Sequence, residues 1–171
     1  LKNQSLLNFL ADDNRAKAIF DYKKAYVALK NLGIELKGIS FDALLAVYII
    51  NPANASEDLK KVADEYVNNN ANYDYIIYGA KSKAQIPNID IYATHAISKC
   101  RTINKLKPIV LKQIEVNEQN QLFKMELALS PILGDMEIAG LKVDRQKLEE
   151  VGKDLLLKQE AIANEIYHLA G

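Results

Sequence analysis

Cysteine is almost missing from this chain of 171 residues: Cys100 stands alone. No internal disulfide can form, and the usage favours a reducing compartment, the cytoplasm. Glycine and proline are sparse, at 7 and 4, which leaves little room for long irregular stretches. The two histidines, His95 and His168, are too few and too far apart in sequence to suggest a zinc site. Neither sign of charge is in excess, since 22 Lys and Arg balance 22 Asp and Glu. A domain that binds nucleic acid by itself commonly shows a basic excess, so the overall charge gives that class weak support. The longest strongly apolar run, Ala43 to Ile50, is far too short to cross a membrane. Leu1 to Leu10 is a broken apolar pattern, unlike a signal peptide. There is no Gly-rich phosphate loop and no Gly-x-Ser-x-Gly elbow. Lys99 and Arg101 alone do not make Cys100 a nucleophile. The chain does not open on Met and reads as an excised or processed piece.

What is present is ordinary globular material: 49% apolar and 26% charged residues, rich in helix formers. Charge is unevenly spread. Residues 81–112 hold seven basic residues and one acid, a net +6, whereas residues 113–171 hold six and eleven, a net −5. The basic stretch reads either as a solvated loop and helix face or as a DNA footprint. Apolar spacing predicts a short helix over 1–10, a strand over 17–22, a helix over 23–32 and a strand over 34–39. Gly33 sits where a left-handed helix cap is expected. Asp42 is placed to cap an apolar helix over 43–50 that Asn51-Pro52 ends. Ser56-Glu57-Asp58 opens another helix, and 73–87 reads as a short helix and a loop. Long helices follow over 88–116, with Pro108 as a kink or boundary, and 118–139, with Pro131 inside. Gly140 can cap the second. Leu141 to Val143 is extended, and Asp144 caps a last helix. The order is strand, helix, strand, then helices only.

Three blocks carry a resemblance. One is Gly33-Ile34-Glu35-Leu36-Lys37-Gly38-Ile39-Ser40-Phe41-Asp42, running into Tyr48-Ile49-Ile50-Asn51-Pro52. The second is Asn117-Glu118-Gln119 with Leu122 and Glu126. The third is Pro131-Ile132-Leu133, Met136-Glu137 and Gly140-Leu141-Lys142-Val143-Asp144. In this order the chain resembles the bacterial DNA polymerase I family, the A family, over essentially its whole length. The resemblance implies an α/β fold of the ribonuclease-H-like, 3′–5′ exonuclease type. It would lack its N-terminal strands and be followed by a helical extension. It implies a degenerate exonuclease-like domain over 1–116. Residues 117–171 would be a helical linker and the first helix of the polymerase thumb.

Proofreading members of that family carry an Asp eight residues before the Gly of Gly-Ile-Glu-Leu, and here that position is Ala25. They carry a Tyr followed four residues later by an Asp, and here these are Tyr92 and Ala96. Two-metal hydrolysis needs oxygen anions held about 4 Å apart around an ion pair, and alanine supplies none. The implied domain, of the Gram-positive type, therefore holds no catalytic residue, metal or other cofactor. Mg²⁺-dependent nucleotidyl transfer would belong to the rest of the polymerase chain, as would most contact with DNA. Both are the implied partners, and no membrane is.

Two rivals stand beside this reading. An active exonuclease would need Asp21, Asp42 or Asp90 as substitute ligands, although Asp42 reads better as a helix cap. A helical interaction module would dock through the last helix, whose apolar stripe at 148, 151, 155, 162, 166 and 169 needs a partner. In isolation that stripe could also form an artefactual dimer. His95 is expected at a partly exposed or packing position. Glu126 and Glu137 are expected to bond backbone groups.

Overall fold

The computed structural model describes residues 3–54, 56, 58–80 and 84–170. In chain order they form α1 (Gln4–Ala11), β1 (Lys17–Ile19), α2 (Tyr22–Asn31), β2 (Ile39–Asp42) and α3 (Ala43–Ile50). A 3-10 turn (Pro52–Asn54) precedes α4 (Leu59–Asp64), α5 (Asp74–Tyr78), α6 (Ile89–Val116), α7 (Asn120–Ala139) and α8 (Arg145–Ala170). Leu1–Ile138 and Ala139–Gly171 are separate compact units. The boundary expected after residue 116 falls at the turn between α6 and α7, inside the first unit.

In the first unit β1 and β2 pair in parallel, with Ala18 opposite Phe41 and Ile19 opposite Asp42. Both strands differ from expectation. β1 ends at Ile19 because Asp21 turns left-handed, at φ 62°. The N–H groups of Asp21 and Tyr22 then go to the Asp42 carboxylate, not to a ladder. Residues 34–38 are not a strand; β2 starts at Ile39. The Lys37 N–H bonds Leu10 O at 2.9 Å, so that backbone ties down the end of α1 instead. Gly33, at φ +72°, closes α2 as expected: its N–H bonds Lys30 O and the Ile34 N–H bonds Leu29 O, the paired bonds of a Schellman end.

The core lies where α3 meets α6. Phe41, Ala46 and Val47 pack with Leu106, Val110 and Ile114, and Leu59 and Val62 of α4 close one side. Each large apolar side chain buried here stabilises by roughly 1.5–3 kcal/mol. α6 passes through Pro108 without ending, because buried Leu106 and Val110 hold the helix on both sides of it. α2 packs against α7: Tyr26 Oη donates to Asp135 at 2.9 Å, and Lys30 and Lys23 pair with Asp135 and Glu137. Glu137 thus bonds a lysine, not the backbone groups expected of it. At Glu126 it is the main-chain carbonyl that is bonded, accepting from the Ser130 hydroxyl at 3.1 Å.

In the second unit, Asp144 caps α8 by accepting from the Lys147 N–H at 3.0 Å. α8 carries no buried residue.

Candidate functional site

The three positions of the exonuclease motifs, Ala25, Tyr92 and Ala96, lie within the first two or so turns of α2 and α6. Ala25 closes the first turn of α2, partly buried, its N–H on Asp21 O at 3.2 Å. Tyr92 is in the first turn of α6, 45% exposed, and Ala96 follows one turn later on the same face, partly buried. α2 is not among the elements that pack extensively on α6; those are α3, α4, α5 and β1.

The possible substitute carboxylates are occupied or apart. Asp21 caps α2, accepting from the Lys24 N–H at 3.1 Å. Asp90 is exposed in the first turn of α6. Asp42 is buried and accepts four backbone N–H bonds: from Asp21 at 3.0 Å, Tyr22 at 2.8 Å, Leu44 at 3.0 Å and Leu45 at 3.4 Å. One carboxylate therefore starts both α2 and α3. Burial raises its affinity for a proton, and the four N–H donors pull the other way.

The strongest polar cluster was not foreseen. Asp74, at the start of α5, accepts from Lys99 Nζ at 2.9 Å and contacts His95 Nε2 at 2.8 Å. Its own N–H bonds Asp58, the cap of α4, at 2.8 Å. Burial alone would raise the Asp74 carboxyl; the bonds from Lys99 and His95 outweigh that and hold it below the usual carboxylate range. His95 is only 3% exposed and Tyr78 meets its ring edge-on, so it is a fully packed residue, not a partly exposed one. His95 and Lys99 are four apart on one helix face, a visible signal. Their acidic partner lies 21 residues upstream of His95, which no local pattern reveals.

Among the described residues, no three His, Cys, Asp or Glu side chains gather to hold a metal ion. At the positions where the resemblance places carboxylates stand two methyl groups, Ala25 and Ala96. Among the described residues the donor set does not fit a pair of Mg²⁺ ions.

A family model described as DNA polymerase I, ribonuclease H-like domain, matches residues 1–106. The chain belongs to this family. DNA polymerase I of Bacillus subtilis (strain 168) is 37% identical over 172 aligned positions, covering all of this chain and 20% of the relative. DNA polymerase I of Geobacillus stearothermophilus gives the same identity and coverage. That of Lactococcus lactis subsp. cremoris (strain MG1363) is 32% identical over 96% of this chain and 19% of its own length. The chain thus spans about a fifth of the length of the curated relatives it matches. The ribonuclease-H-like fold is represented here by the two parallel strands and the helices around them. No helix among the described residues is long and apolar enough to cross a membrane.

Proposed function

We propose that this chain is the exonuclease-like portion of a cytoplasmic DNA-directed DNA polymerase acting in replication and repair, and that it is catalytically silent. The observation that carries this reading is the pair Ala25 and Ala96, where proofreading members of the family hold carboxylates. Tyr92 has no metal-bound water to orient. The role is structural: the domain over 1–116 supports the polymerase chain and helps place duplex DNA, and 117–171 leads into the thumb. Mg²⁺ chemistry belongs to the polymerase active site elsewhere in the longer protein.

Digestion of 5′-labelled single-stranded DNA by the purified chain, with Mg²⁺ and separately with Mn²⁺, tests the reading. The expected result is no shortening. Stepwise loss from the 3′ end would overturn it and point to Asp21, Asp42 or Asp90 as ligands.

A second reading rests on α8, which exposes Leu148, Val151, Leu155, Ile162, Ile166 and Leu169. Such a stripe suits docking to another part of the polymerase, and a chain that stays monomeric in light scattering at all concentrations would count against self-association through it.

A further inference from the structure

The exposed face of α6 borders a groove that the reading above leaves unused. Thr94, Ile97, Ser98, Arg101 and Lys105 line it from the helix, and Asn70 lines it from the loop after α4; its volume is about 410 Å³. Thr102, buried, forms the floor. The lining contains no acid. Among the described residues, Arg101 and Lys105 have no carboxylate within ion-pair distance. Four residues apart on a helix, they stand about 6 Å from each other along its axis. Thr94, Ser98 and Thr102 and the amide-bearing Asn70 add polar side chains to the same lining. On a helical wheel Arg101 and Lys105 lie on the side opposite Tyr92 and Ala96, so this is not the face of the exonuclease motif.

A guanidinium and an ammonium beside hydroxyl donors form a set suited to phosphate oxygens, with the planar Arg fork able to take two at once. Ile97, 52% exposed at the rim, offers apolar surface to a sugar or base. We propose that this groove binds phosphodiester groups of a single nucleic-acid strand. The idea deepens the polymerase reading and rests on it for the source of the phosphate.

The test follows backbone amide resonances of the full 171-residue chain at low salt during titration with a short oligothymidylate, and separately with inorganic phosphate. Affinity is then measured across salt concentrations for the parent chain, for Arg101→Gln with Lys105→Gln, and for a control with the same charge change elsewhere, Lys124→Gln with Lys153→Gln. The expected result is shifts confined to residues 94–105 and the loop near Asn70. The groove variant should bind roughly tenfold or more weakly, and its slope of log affinity against log salt should be shallower by about 1.4, two phosphate contacts on a single strand. The control should keep the parent slope to within the change that its shared loss of net charge imposes on both variants.

Three results would overturn the proposal: no oligonucleotide binding at low salt, binding of equal strength in the groove and control variants, or phosphate shifts without oligonucleotide binding. The last would make the groove a free-anion site. None of these touches the nuclease assay, so a silent exonuclease and an empty groove can be told apart.

Discussion

Replacing Asp42 should damage two helices at once. Its carboxylate takes N–H bonds from the first turns of α2 and α3, three of them at 3.0 Å or shorter. Loss of one helix cap costs about 1 kcal/mol and up to about 2. Asp42→Ala removes the cap of α3 and the acceptor for the Asp21 and Tyr22 N–H groups at the start of α2, and it leaves buried N–H groups without acceptors, so the cost should be roughly 2–4 kcal/mol. Asp42→Asn keeps one good acceptor oxygen and should lose about half as much. Urea unfolding monitored by circular dichroism measures this: the midpoint should fall while the slope of ΔG against urea stays unchanged. The same loss should appear in amide exchange as faster opening at both 21–24 and 43–46, not at one alone. A loss below about 0.5 kcal/mol for Asp42→Ala, or exchange altered at only one helix, would refute the account of Asp42 as the acceptor shared by both helix starts.

Gly134→Ala should destabilise despite its gain in helix propensity. The new methyl would lie 2.7 Å from Tyr26 Cδ1; overpacking of roughly 1–3 kcal/mol then outweighs about 1 kcal/mol of propensity. Adding Tyr26→Ala should turn the Gly134 change favourable in a double-mutant cycle. Gly38 and Gly33 form a matched pair, both at positive φ. Alanine at Gly33 meets nothing within 4 Å and should cost only backbone strain of about 1–2 kcal/mol. Alanine at Gly38 would also lie 2.6 Å from Arg15 O and should cost clearly more in the same melting assay. Asp74, held below its usual range, contributes stability above its unfolded value near 4 and loses it as pH falls through its folded value. Its side chain is 37% exposed, so the effect should stay below about 1 kcal/mol. The resonances of His95 should report α5 loosening from α6 in that acid range, and Asp74→Asn should flatten the profile.

Much of this was legible in the sequence. Asp42, a short capping side chain, Gly33, a residue that tolerates left-handed backbone, and Asn51-Pro52, where proline bars the helix, each carry a local signal, and each marks an observed helix end. The strand edges were not legible. Alternation over 34–39 looks like a strand, but Lys37 bonds Leu10 and Gly38 presses against the turn before β1. Those are contacts over some twenty residues, and short-range pattern is blind to them. The same holds for Lys17, whose buried ammonium bonds the carbonyls of Asp12, Arg15 and Lys37. A lysine in a strand reads as solvated until the fold closes around it. At the candidate site, Ala25, Tyr92 and Ala96 were legible only through family likeness. Absent carboxylates leave no physical mark of their own.

α8 is 26 residues long without a single buried side chain. Its helicity must therefore come from residue propensity and from pairs within the helix, such as Lys158 with Asp154 and Lys147 with Glu150. A helix of that kind has no sharp melting point. It should fade gradually on warming, from its ends inward, and yield somewhat to salt. Far-ultraviolet ellipticity should thus drift downward well before the near-ultraviolet signal of the tyrosines in the first unit collapses. The chain then has two thermal behaviours, one gradual and one cooperative, and a single melting temperature describes only the second.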